Sequence, residues 1–347
     1  MFIRLPAEWE EQEGVLLAWP HEDTDWKPVL EEAQRACAEI IAAIVRFDER
    51  VFLLAPGAKA AEKKLRAYGV PMGRVKIYEY LTNDTWTRDF GPITVLRHIA
   101  PEKAGKPMLM DFGFNGWGLK FRSDRDNRAG RFLAKHKPFS GNAFKTSGMI
   151  LEGGSIESDG EGTLMTTSAC LLSDNRNPHL SRNRIEKKLQ RFLGAERVLW
   201  IENGGLDGDD TDAHVDTLAR LCPGGTILYV ACPDKSDSHF QPLARMRDDL
   251  ARFRTAKGEP YRLLPLPWPG TRHDEDGNRL PATYANYLVI NGAVLVPVYG
   301  DDADGEALKT VGLAYPDREI VGIDCSVLIR QHGSLHCVTM QFPKGIR

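Results

Sequence analysis

The runs G-V-L-L-A-W-P at residues 14–20 and V-F-L-L-A-P at 51–56 decide the fold class. Each is a short apolar stretch closed by proline, the pattern of a strand buried on both faces. Between them, Leu30, Ala33, Cys37, Ile40, Ile41, Ile44 and Val45 recur at helical spacing, which predicts an amphipathic helix linking two strands. Further along, Ser181 is placed to cap a helix carrying Ile185, Leu189, Phe192 and Leu193. Leu243, Met246, Leu250 and Phe253 mark a third helix. The alternation predicts an α/β protein.

Hairpins interrupt that alternation. Tyr287–Ile290 and Ala293–Val298 flank Asn291-Gly292, a pair suited to a type I′ turn. Ser155–Glu157 and Thr163–Thr167 flank S-D-G-E-G as a second hairpin. No G-x-G-x-x-G follows the first strand, so a dinucleotide site is not expected.

Four polar segments are spread evenly: W-T-R-D at 86–89, E-G-G-S at 152–155, H-V-D at 214–216 and L-H-C-V at 335–338. From 89 to 152 is 63 residues, from 152 to 214 is 62, and from 214 to 337 is 123, about two such steps. The skipped step falls near 276, and the chain has room for five units. Units of fixed length that each deliver one polar residue to a common centre describe a radial array of small α/β modules.

The composition excludes several classes. The chain has 347 residues, 42% hydrophobic and 27% charged, with net charge −3. That is a globular profile without the basic stripe needed to bind nucleic acid or an anionic membrane. No apolar run approaches the ~18 residues that span a bilayer, and Met1–Pro6 does not read as a signal peptide. The six cysteines are scattered and none form C-x-x-C, so neither a disulfide framework nor a zinc cluster is expected. Reduced thiols and a cytoplasmic location are the expectation.

The chemistry therefore rests on side chains alone. Cys337 lies in G-S-L-H-C-V-T-M-Q, which reads as a strand after a glycine; a plain buried cysteine would look the same. As a nucleophile it needs a nearby cation to become a thiolate. His214 and Asp216 are two apart and, on a strand, share one face, so the acid can keep the imidazole charged as a proton donor. Glu152 ends an apolar run and precedes two glycines that permit close approach. Asp89 follows Trp86, whose ring can face a planar cation. Asp207, Asp209, Asp210 and Asp212 crowd before His214. A calcium loop would need glycine where Asp212 stands, so Asp207–Asp210 reads as a solvated acidic turn. A thiol, an imidazole and three acids suit attack on a guanidinium: the acids hold the flat cation against the sulfur, and the imidazole protonates departing ammonia, then activates water. A metal-dependent hydrolase built on His214 and its aspartates, and a non-catalytic binder of cationic amines, are the competing readings.

These segments resemble the agmatine deiminase / Porphyromonas-type peptidylarginine deiminase family of guanidine-modifying enzymes. The likeness runs through L-P-A-E-W-E-x-x-E-G-V-L-L-A-W-P (5–20), N-D-T-W-T-R-D-F-G-P (83–92), F-G-F-N-G-W-G (112–118), L-E-G-G-S-I-E (151–157), D-D-T-D-A-H-V-D (209–216) and L-H-C-V-T-M-Q (335–341). It implies the five-bladed α/β-propeller, or pentein, fold, with ββαβ-type modules around a central site in a single catalytic domain over 1–347. It also implies Cys337 as nucleophile, His214 as acid/base, and Asp89, Glu152 and Asp216 as catalytic and guanidinium-binding carboxylates, with Trp86 beside the substrate. The implied reaction passes through a covalent thiouronium and needs no metal or organic cofactor. The implied substrate is agmatine, giving N-carbamoylputrescine on the way to putrescine, with peptidylarginine as the alternative. No nucleic acid or membrane partner is implied, and a homodimer is compatible. One departure stands out: the stretch before Cys337 reads Q-H-G-S-L-H-C rather than G-G-G-N-I-H-C, which bears on the substrate tail.

Overall fold

The computed structural model describes residues 2–100 and 103–347. The two opening runs form parallel strands, Gln12–Ala18 and Arg50–Ala55, in register from Gly14↔Arg50 to Ala18↔Leu54. Both are dry because the helix Leu30–Arg46 lays Ala33, Cys37, Ile40, Ile41 and Ile44 across the sheet. Gly14 permits the close pairing: a Cβ there would sit 2.6 Å from the Arg50 carbonyl oxygen.

One strand order then recurs in five sheets: a first strand antiparallel to a second, and the second parallel to a third. The sets are Met340–Pro343/Gln12–Ala18/Arg50–Ala55, Ile93–His98/Lys106–Gly113/Ala143–Ile150, Glu157–Ser158/Thr163–Thr167/Arg197–Ile201, Ala219–Cys222/Thr226–Val230/Arg262–Leu266 and Leu288–Val289/Ala293–Val298/Glu319–Asp324. The parallel pairs need crossovers. Leu30–Arg46, Arg182–Leu193, Phe240–Arg252 and Asp304–Ala314 supply four; the second set is crossed by short turns such as Gly116–Leu119 and Ala129–Leu133. The α/β expectation holds, and five sheets of one order are consistent with the pentein arrangement. The first set takes its first strand from the far end of the chain, so Met340–Pro343 closes onto Gln12–Ala18.

Local details differ from the expectations. Starts of first strands run from 93 to 157 (64 residues), to 219 (62), then to 288 (69). The step expected near 276 falls in an inserted hairpin, Arg272–His273 with Arg279–Leu280, so the equivalent segment comes later, at 283–286. The hairpin at Asn291-Gly292 pairs as expected, but neither residue has positive φ, so the turn is not type I′. Asn291 is held instead by tertiary bonds: its Oδ1 accepts from Gln12 N (2.8 Å), its Nδ2 donates to Gln12 O (3.0 Å), and its backbone N–H donates to Glu49 (3.0 Å). Ser181 does precede Arg182–Leu193, but its carbonyl takes the bond from Ile185 N and its hydroxyl makes no cap.

Candidate active site

Each of the segments chosen from the sequence ends just before a first strand. Asp89 lies in a single helical turn, Thr87–Phe90, before Ile93. Glu152 opens the 3-10 turn Gly153–Ser155 before Glu157. His214 opens another, Val215–Thr217, before Ala219. Cys337 lies in a turn before Met340. The strand expected for His214–Asp216 and for Cys337 is thus a tight turn in both places. A hydroxyl three residues on makes the turn locally: Ser155 Oγ donates to Glu152 O (2.6 Å), Thr217 Oγ1 to His214 O (2.8 Å) and Thr339 Oγ1 to His336 O (3.0 Å). This side-chain-to-carbonyl bond competes with strand pairing.

The turns converge. His214 Nδ1 lies 3.6 Å from Asp89 Oδ1, and His214 Nε2 lies 3.9 Å from Glu152 Oε2. Cys337 Sγ lies 4.0 Å from Asp216 Oδ2. Gly154 forms the floor between them. Its N–H donates to Asp89 Oδ1 (3.0 Å), and a Cβ there would sit 2.7 Å from His214 Nδ1, 2.9 Å from Asp89 Oδ1 and 3.0 Å from Asp216 Oδ2. The glycine pair after Glu152 therefore serves close approach, as expected. Cys337, Asp89 and Trp86 face a cavity of about 710 Å³. Trp86 packs on Trp26 (ring centroids 5.6 Å) and is backed by Gly333, whose Cβ would meet its ring at 2.3 Å.

Several partners were not singled out from the sequence. Trp117 Nε1 donates to Asp89 Oδ2 (2.9 Å); it stands in F-G-F-N-G-W-G, a quoted motif to which no role attached. Arg176 Nε donates to both Glu152 oxygens (2.9 Å each), and its other nitrogens reach Asp212 (2.6 Å) and Thr211 O (2.8 Å). Asn286 Oδ1 accepts from the backbone N–H groups of His336 (3.0 Å) and Cys337 (3.2 Å). His336 bridges Asp216 Oδ2 and Glu8 Oε2, at 2.7 Å each, with Arg220 beside Glu8 (3.0 Å). The acidic turn faces solvent at Asp207 and Asp210, as expected, while Asp209 is bonded to the backbone that follows. Asp209 accepts from Thr211 N (2.9 Å) and Ala213 N (2.6 Å), and so holds Asp212 and Ala213 at φ +64, backbone that costs energy in non-glycine residues.

Burial and charge set the protonation states. Burial pushes the Cys337 thiol well above its ordinary value, and the Asp216 and Asp89 carboxylates push it further, against weaker help from Ser334 and Asn286. Burial is the largest single influence and opposes a charged His214, but Asp89, Cys170 and Glu152 together outweigh it, and the imidazole pKa stands well above 6.5. Burial raises Asp89 despite His214. Burial would also raise Glu152 and Asp216, yet both are lowered, by His214 and Arg176 for Glu152 and by His336 above all for Asp216. The resting site is a neutral thiol facing a charged imidazole and carboxylates. Asp216 Oδ1 and both His214 nitrogens are buried without a partner.

The sequence model of the Porphyromonas-type peptidyl-arginine deiminases matches residues 4–343, and the chain belongs to that family. It is 33% identical to the agmatine deiminase of Pseudomonas aeruginosa, over 98% of this chain and 95% of that one. Among solved structures, the agmatine deiminase of C. jejuni with substrate bound is 39% identical, with TM-score 0.90 over 100% of this chain and 98% of that one. A Porphyromonas gingivalis protein provisionally assigned as an arginine deiminase is 45% identical, with TM-score 0.90 over 99% of this chain and 100% of that one.

Proposed function

We propose that the chain hydrolyses the guanidinium C–N bond of agmatine, releasing ammonia and N-carbamoylputrescine, with Cys337 as nucleophile. The observation that carries this is an unpartnered buried acceptor beside the thiol, Asp216 Oδ1. Leaving such an atom unpaired costs about 1–3 kcal/mol, so the pocket is built for a donor that pairs with it. A guanidinium is flat, positive and ringed with N–H donors. Between Asp89, Glu152 and Asp216 it would supply the cation that lets Cys337 ionise, the thiol proton leaving to solvent through the cavity.

The sulfur then attacks the guanidinium carbon. His214, already protonated, gives its proton to the departing nitrogen, and ammonia leaves an S-linked thiouronium. The imidazole, now neutral, takes a proton from water as that water adds to the same carbon. Collapse breaks the C–S bond, returns the thiolate and leaves a urea. Trp86 and Trp117 would wall the plane of the cation, and Trp117 fixes Asp89.

The cavity wall supports an ammonium tail. It carries Asp23, Asp25, Asp84 and Asp210 beside the cations Lys120, Arg122 and Arg125; Lys120 is bonded to Asp212 and the Asp210 carbonyl (2.7 Å each) and Arg122 to Asp124 (2.6 Å). The burial that pushes Asp84 up to about 7 is relieved when a cation sits beside it. On this reading residues 1–347 act as one catalytic unit, since its groups are drawn from Trp86 to Cys337. No nucleic acid or membrane partner is part of it, and six buried free thiols fit a reducing cytoplasm. No helix among the described residues is long and apolar enough to cross a membrane.

The test is ammonia release from a panel of agmatine, free arginine and a blocked arginyl peptide. Agmatine should be turned over fastest, and Cys337→Ala should abolish it. Preference for the peptide would move the substrate to peptidylarginine while leaving the chemistry. Full activity in Cys337→Ala would overturn the mechanism. A cationic haloacetamidine should label Cys337 selectively.

A further inference from the structure

Cys170 takes no part in the reaction above, yet it is packed against the general acid. It lies in the one-turn helix Ser168–Leu171 that follows Thr163–Thr167. Thr167 Oγ1 accepts from Cys170 N (3.3 Å) and donates to Ala213 O (2.7 Å), the carbonyl just before His214. That clasp brings Cys170 Sγ, a ring nitrogen of His214 and a Glu152 oxygen within 4.8 Å of one another. All three residues are 0% exposed, and neither His214 ring nitrogen has a hydrogen-bond partner.

Sulfur, imidazole nitrogen and carboxylate oxygen are zinc ligands. Zinc bond lengths in a tetrahedral shell put such atoms about 3.3–3.7 Å apart, so the trio needs to close by no more than about 1.5 Å. His214 Nε2 faces Glu152, while Nδ1 faces Asp89 at 3.6 Å. That is the carboxylate–histidine–metal arrangement that orients a ligating imidazole. In the other trio of this kind among the described residues, Glu8, Glu157 and His336, Arg220 holds both carboxylates and His336 is bonded through both nitrogens; here Arg176 holds Glu152 (2.9 Å) but leaves both His214 nitrogens unpartnered.

We propose that Cys170, His214 and Glu152 form an inhibitory site for zinc, which stops turnover by occupying the general acid/base. Binding breaks the Cys170 S–H bond and removes the imidazolium proton. Both protons go to solvent, so zinc binds more tightly as pH rises. The site itself does not depend on the deiminase reading; only the loss of turnover does.

Chelator-stripped protein is dialysed against Zn²⁺ and its metal content measured, beside a Zn²⁺ titration of ammonia release from agmatine. One zinc per chain and full inhibition are expected. Cys170→Ser should weaken both by at least about tenfold while uninhibited kcat/KM stays within about threefold. Cys337→Ser should still bind one zinc, and its Co²⁺ form should show thiolate-to-metal charge-transfer absorption. That second variant keeps the proposal testable if Cys170→Ser does not fold. Zinc binding lost in Cys337→Ser and kept in Cys170→Ser would overturn the site by assigning the metal to the nucleophile, and so would the absence of bound zinc. Zinc bound at Cys170 in a protein that leaves agmatine untouched would uphold the site and sink the substrate reading.

Discussion

Gly154→Ala tests the geometry of the catalytic floor with one methyl group. Gly154 has no positive φ, so alanine meets no backbone penalty and the effect is steric. Its Cβ would stand 2.7 Å from His214 Nδ1, 2.9 Å from Asp89 Oδ1 and 3.0 Å from Asp216 Oδ2, where ordinary contact begins at 3.4 Å. Each neighbour has to yield by about 0.4–0.7 Å, and all three belong to the reacting constellation. A misplacement of about 1 Å costs on the order of 10² in rate, so kcat/KM should fall about 10- to 100-fold, or ~1.4–2.7 kcal/mol of transition-state stabilisation. Overpacking of this kind costs ~1–3 kcal/mol of stability, so the protein should still fold and melt a few degrees lower. Steady-state ammonia release from agmatine and a thermal melt measure the two effects. Gly153→Ala is the contrast: its Cβ would lie 2.1 Å from the Arg88 carbonyl oxygen, which is backbone, so that variant should not accumulate folded. If Gly154→Ala keeps kcat/KM within about threefold of wild type, His214, Asp89 and Asp216 do not have to hold these positions and the assigned roles fail.

Trp117→Phe keeps the ring and removes the N–H that binds Asp89. A bond to a charged group contributes ~1.5–3 kcal/mol, so kcat/KM should drop about 10- to 100-fold and the melting temperature should fall by a few degrees; unchanged kinetics would free Asp89 from Trp117. The raised pKa of Cys337 means that iodoacetamide, which is neutral, should alkylate it slowly at pH 7, with a rate climbing about tenfold per pH unit to pH 9. A plateau below pH 8 would contradict the neutral resting thiol. Glu49 is 2% exposed, and burial raises its pKa to about 7. A carboxylate whose folded pKa exceeds its unfolded value loses stability as pH rises between the two, here from about 4.5 to 7. Glu49→Gln should therefore match wild type near pH 4 and exceed it at pH 8 by up to about 3 kcal/mol, read from denaturant melts. Equal stability of the two at pH 8 would refute that.

The fold was legible where burial alone decides structure. Val15–Ala18 and Val51–Ala55 are apolar on both faces, and only a strand covered on both sides accommodates such runs, so strands and covering helix followed from pattern alone. The pattern gave less where a distant partner sets the backbone. Asn291-Gly292 is a strong I′ signal by itself, but Asn291 is tied to Gln12, 279 residues away, and the turn takes the form that docking requires. The repeat length failed in the fourth module for a similar reason: the inserted hairpin at 272–280 consumes residues without moving the sheet.

The site shows the same division. Asp89, Glu152, His214, Asp216, Cys337 and Trp86 were chosen as chemically apt residues, and all six lie in one place. Arg176, Asn286 and Cys170 carry no local signature, because each meets a site residue distant in sequence through contacts that exist only once the chain has folded. The period-two argument for His214 and Asp216 gave the right convergence from the wrong local structure. What brings the groups together is not strand alternation but the position of each turn, three to five residues ahead of a first strand, repeated from module to module. The nucleophile has no exemption from this rule. Its first strand, Met340–Pro343, pairs with Gln12–Ala18, so Cys337 reaches Asp216 only when the two ends of the chain have met, and the thiol is positioned by the same step that closes the fold.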